Sequence, residues 1–154
     1  MAEINQYVFD LVETNNPEIV IINIPYNLLM YSSVYMGDYG ACAYKLTRAV
    51  PPDILVMEIP YNEYRQEDLD YLNTMLTGIC GQEIDFYVVE SSIIDIDATE
   101  KLRRVQMTKV EGIAIGKTMD KLENVYISDS SDRIKMLVDA MIGKLSSFAE
   151  IEMM

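Results

Sequence analysis

A chain of 154 residues, 50% hydrophobic and 24% charged, has the length and composition of a single globular domain able to bury a sizeable core. Its net charge of −13 argues against a nucleic-acid partner, whose binding rests on Lys and Arg neutralising phosphates. With no histidine, Ser-His-Asp and Cys-His catalysis and histidine metal sites are excluded; chemistry falls to carboxylates, Lys, Tyr, Cys, backbone amides or a borrowed cofactor.

No apolar run approaches the roughly 20 residues of a membrane span, and no basic start precedes an apolar signal segment. A cytoplasmic protein without membrane contact is expected. Cys42 and Cys80 are too few for a disulfide framework and are expected as buried free thiols on helix faces.

In chain order, residues 3–14 place Ile4, Tyr7, Val8, Leu11 and Val12 at helical spacing, and Asn15, Asn16 and Pro17 stop that helix. A helix that opens an α/β domain with no strand before it fits the C-terminal half of a longer protein. Next comes a sentence the chain says twice. Residues 17–27 read PEIVIINIPYN and residues 52–62 read PDILVMEIPYN, an offset of 35. Only Asn23 against Glu58 changes chemical type. Short runs apolar on both faces suit buried parallel strands, and Pro25 and Pro60 mark their ends. The offset is the size of a βαβ unit, so 18–24 and 54–59 are predicted to be equivalent parallel strands of one sheet.

Residues 25–38 are long for a βα connection and carry Leu28, Leu29, Met30, Tyr31, Val34, Tyr35 and Met36. So much apolar area is expected to be buried against the sheet edge, a second subunit or a client peptide. A helix follows from Gly37 or Tyr39 to Ala49, closed by Pro51-Pro52. Its glycine-rich start is no GxGxxG or Walker motif, and Asp38 would repel phosphate. A further helix is predicted over 66–79, with Leu69, Leu72, Met75, Leu76 and Ile79 as its stripe and Gly81 past its end. Strand three is Ile84–Val89. Residues 93–106 give no clear pattern; Val110–Ile115 reads as strand four, 118–123 as a helical turn and Val125–Ser128 as a short fifth strand. A last helix begins at Ser130 or Ser131, with Ile134, Leu137, Val138, Met141, Leu145 and Phe148 at spacings of three and four. These elements predict one α/β domain over 1–154, a three-layer αβα sandwich around a mostly parallel sheet of about five strands, Rossmann-like or flavodoxin-like.

In open α/β sheets ligands bind beyond the carboxyl ends of the strands. Those ends present Asn23, Tyr26, Asn27, Glu58, Tyr61, Asn62, Glu90, Ser91 and Asp129. Glu58 and Glu90 are the candidate catalytic carboxylates: if strands two and three are neighbours, the pair can split into an acid and a base or hold a hard cation. Spacing alone favours two solvent-facing carboxylates, so no metal or cofactor is expected. Asn23, Tyr26, Asn27, Tyr61, Asn62 and Asp129 are the candidate ligand contacts. Leu29, Met30, Tyr31, Tyr35 and Met36 are the candidate interaction residues.

At GACAYKLTRAVPPD (40–53), with PEIVIINIPY before it and the acidic helix 66–79 after it, the chain resembles the peptide-maturation-system proteins encoded beside radical-SAM enzymes and short precursor peptides. Gly40, Ala43, Tyr44, Ala49, Val50, Pro52 and Asp53 carry the likeness, which covers roughly residues 17–90 and matches the C-terminal half of longer relatives. Where relatives tend to carry a Gly-rich turn after the first strand, this chain has Pro25-Tyr-Asn-Leu. The resemblance implies a role in maturing a ribosomally made peptide. With no recognisable catalytic set, an accessory or binding protein for a precursor peptide or its modifying enzyme is expected, and the apolar area of residues 28–36 predicts a homodimer or partner complex that covers it. An enzyme or small-ligand binder using Glu58 and Glu90, and a homo-oligomeric structural subunit, are the alternatives.

Overall fold

The computed structural model describes residues 1–24, 28, 38–110, 119 and 121–152. Tyr26, Asn27, Leu29, Met30, Tyr31, Val34, Tyr35 and Met36, with most of the expected fourth strand, lie outside the described residues. The elements run α1 (Ala2–Asn15), α2 (Ala41–Ala49), β1 (Val56–Pro60), α3 (Gln66–Cys80), β2 (Phe86–Glu90), β3 (Ser92–Ile94), α4 (Ile96–Leu102), β4 (Met107–Lys109), β5 (Val125–Ile127) and α5 (Ser131–Glu152). The domain is α/β.

Among the described residues the main sheet has three strands in the order β1-β2-β5, all parallel. It is smaller than the expected five. β3 and β4 pair antiparallel in a sheet of their own, so the strand expected at 110–115 is preceded by a ladder that ends at Lys109 and does not join the main sheet. The larger correction concerns the repeat. Residues 54–59 give β1, but residues 18–24 run without ladder pairing or helix, and Ile19, Val20, Ile21 and Ile22 are exposed.

Strand alternation decides the core. Ile59, Val89 and Ile127 share one face of the sheet and are buried with Leu69 and Leu76 of α3. Tyr87, on the same face, donates its hydroxyl to the Leu69 carbonyl at 3.2 Å. Its burial, reinforced by the charge of Asp70, pushes its pKa up to about 12.

α2, α3 and α5 begin where side chains accept amides at the helix start. The Asp38 carboxylate accepts the N–H groups of Gly40 (3.0 Å) and Cys42 (3.1 Å), so the glycine-rich start of α2 is filled by the chain's own anion. Gly40 has φ +73°, and a Cβ there would lie 3.2 Å from Ile79, which is how closely α2 approaches α3. Asp68 accepts the Arg65 N–H at 2.9 Å, closing the first turn of α3, and Ser130 Oγ accepts the Arg133 N–H at 3.4 Å at the start of α5. α1 is tied to the end of α2 by Asn5 Nδ2 donating to the Ala49 carbonyl at 2.7 Å, yet it buries none of its own residues.

One residue gathers three elements. Asp85, just before β2, accepts the Leu55 N–H at 2.7 Å, donates its own N–H to the Leu55 carbonyl at 2.9 Å, and pairs with Lys144 of α5. It therefore fixes the start of β1 against β2 and holds α5 to both.

Candidate functional site

The carboxyl ends of β1 and β2 lie side by side, with Glu58 opposite Val88 and Pro60 opposite Glu90. Side chains alternate along a strand, so Glu58 and Glu90 project from the same face, diagonal to one another, while Ile59 and Val89 turn into the core. Although Glu58 is an exposed residue of β1, loss of part of its solvation raises its pKa above the ordinary value, and the negative charge of Glu90 and a hydrogen bond with Glu90 raise it further. Glu90 also accepts the Ser92 hydroxyl at 2.8 Å. The two carboxyls stand together at the rim of the sheet, and the environment of Glu58 favours its protonated form. Among the described residues no group of three or more His, Cys, Asp or Glu side chains is placed to hold a metal ion.

The other expected contacts divide. Tyr61 packs against the core and donates its N–H to the Ser92 carbonyl at 2.7 Å, a structural role. The Asn62 side chain accepts the Glu63 N–H at 2.8 Å and shapes the turn into α3. Asp129 pairs with Arg133 at 3.6 Å at the opposite side of the sheet, after β5, and is not brought to the pair. Asn23 is exposed on the extended segment. Tyr26 and Asn27 lie outside the described residues, as do the candidate interaction residues Leu29, Met30, Tyr31, Tyr35 and Met36.

The feature that sequence reasoning missed is the free side of β1. Among the described residues β1 pairs with β2 alone, so the backbone groups of its other side have no ladder partner. Along that side runs a trough of about 1050 Å³. Residues 18–24 form one wall and 52–60 the other, with Leu72 and Cys80 reaching in from α3 and Met141 and Leu145 from α5. Glu58 and Glu90 sit in its lining. The signal that could have found it is the repeat itself, because two equivalent strands require a shared edge.

No helix among the described residues is long and apolar enough to cross a membrane. No family model, curated protein or solved structure matches this chain.

Proposed function

We propose that the protein is an accessory binding module in the maturation of a ribosomally made peptide, acting beside a modifying enzyme in the cytoplasm and holding its client as an extended strand on the edge of β1. The observation that carries this reading is an edge of β1 with no partner among the described residues, bordered by a strand-sized apolar trough. Strand addition gives affinity through main-chain hydrogen bonds and specificity through pockets for alternate side chains. The trough supplies apolar pockets on both faces, and the Glu58–Glu90 pair supplies one polar station, suited to an amide or a cation of the client. The resemblance at residues 40–53 supports a peptide client. Hydrophobic side chains left exposed on α1 and α5, among them Tyr7, Phe9, Met136 and Ile142, are surface on which the enzyme or a second copy would dock.

Co-purification of the full chain with the precursor peptide and modifying enzyme encoded beside it tests the proposal. The expected result is retention of the peptide with slowed amide exchange confined to residues 56–59. Absence of retention, or retention without protection of β1, would reject edge binding. A second reading, proton transfer on a small ligand at Glu58 and Glu90, is favoured by the raised Glu58 pKa and would show as turnover abolished by Glu58→Gln.

A further inference from the structure

Four adjacent branched aliphatic side chains, Ile19 to Ile22, stand exposed beside the edge of β1 that has no partner among the described residues, with Ile21 at 84%. Consecutive exposed residues of this kind are costly unless something covers them. We propose that residues 18–24 close onto the free edge of β1 as a fourth parallel strand, an internal strap that occupies the trough until a client displaces it. The occlusion half of this proposal rests on the peptide-binding reading; the docking half stands without it.

Three independent observations converge on docking. The first is size. A seven-residue strand is about 23 Å long and fills roughly 1100 Å³ at about 4.8 Å between strands and about 10 Å between layers. The trough measures about 1050 Å³ and opens toward both α3 and α5, as the space for an edge strand with side chains on both faces must.

The second is pattern. Residues 18–24 repeat 53–59, so their alternation matches that of β1: Val20, Ile22 and Ile24 correspond to Leu55, Met57 and Ile59 on the α3 face, and Asn23 corresponds to Glu58. Docked in that register, Asn23 sets an amide donor beside the Glu58 carboxyl.

The third is handedness. Crossovers between parallel strands are right-handed. A sheet that grows in one direction from 18–24 through β1 to β2 must then carry both crossover helices on the same face. α2 lies between residues 24 and 56 in the chain, and it packs against α3, the crossover helix from β1 to β2. It already occupies the position that the docked strand requires.

The test uses the full chain and two variants, Ile21→Asp and Val20→Asp with Ile22→Asp. Because these side chains are exposed when the segment is undocked, the variants keep the fold, as the far-ultraviolet spectrum checks. Native-state exchange is expected to show amides 19–24 slowed by about tenfold or more in the parent chain and released in the variants. The synthetic peptide Glu18–Ile24, labelled for fluorescence anisotropy, is expected to bind the variants and to be excluded from the parent.

Exchange of 19–24 at the unprotected rate in the parent would overturn the strap. Protection that grows with protein concentration would overturn it in favour of strand exchange with a second copy. The peptide-binding function fails separately: a precursor peptide that binds neither parent nor variants rejects that reading while leaving strap protection measurable.

Discussion

Replacing Asp85 with alanine removes an acceptor from the Leu55 N–H and a partner from Lys144 in one step. The first contact is a charge-assisted hydrogen bond at 2.7 Å from a side chain only 11% exposed, and losing it leaves a partly buried donor unsatisfied. That is worth about 1.5–3 kcal/mol. The ion pair adds less, up to about 1 kcal/mol, because the Lys144 side chain is 39% exposed and its charge is screened by water. Together Asp85→Ala should cost about 2–4 kcal/mol, or about 5–15 °C in Tm for a chain of this length. Lys144→Met keeps the aliphatic stem against the sheet and loses only the pair, so its cost should stay near or below about 1 kcal/mol. Urea unfolding followed by circular dichroism, run on both variants and the double variant, separates the two contacts. An Asp85→Ala cost below about 1 kcal/mol, or a Lys144→Met cost equal to it, would refute the view that Asp85 secures β1 mainly through the Leu55 amide.

Glu58→Gln should raise Tm at neutral pH. The folded-state pKa of Glu58 is raised, so the stability this group contributes is present at acid pH and lost as pH rises through the raised value. The advantage of glutamine should therefore vanish below the ordinary value of 4.5, and a pH-independent difference would contradict the pairing with Glu90. The two thiols should separate in rate: Cys80 is buried, with its pKa raised by that burial, whereas Cys42 is half-buried at the start of α2. A thiol reagent on native protein should label Cys42 first, and equal rates would contradict the packing of α3.

Helical periodicity was legible because it repeats over several turns. α1 and α3 lie within a residue of their expected bounds, α5 starts where expected, and Ser130 caps it as its position before an apolar stripe implies. β1, β2 and β5 were legible as short apolar runs closed by polar residues or proline. Residues 93–106 were not, for a physical reason: β3 and β4 are three residues long, too short to display an alternation, and α4 has only seven. The Glu58–Glu90 pair was legible only on the condition that β1 and β2 are neighbours, because strand order is absent from spacing. The repeat was misleading in one respect. Nearly identical residues became a strand at 56–60 and an unpaired segment at 18–24, because a strand is made by its ladder partners rather than by propensity. β1 has β2 beside it and Asp85 to anchor Leu55; residues 18–24 have no such partner among the described residues.

The position at which the two copies differ in kind gains a meaning from this arrangement. An unpaired sheet edge invites other chains to add to it, and proteins blunt such edges with charge and proline. β1 carries both devices, Glu58 in mid-strand and Pro60 at its end, with Pro51 and Pro52 ahead of it. A second glutamate at position 23 would set like charges on adjacent strands, beside a Glu58 whose ionisation Glu90 already opposes. Asparagine there removes the charge and adds a donor. The substitution of Asn23 for Glu58 between the copies is thus what complementarity requires if one copy covers the other. Under the proposed function, a displacing client would then need an apolar, branched run with a neutral donor or a cation at the position facing Glu58, because an acid there would meet the carboxylates of Glu58 and Glu90.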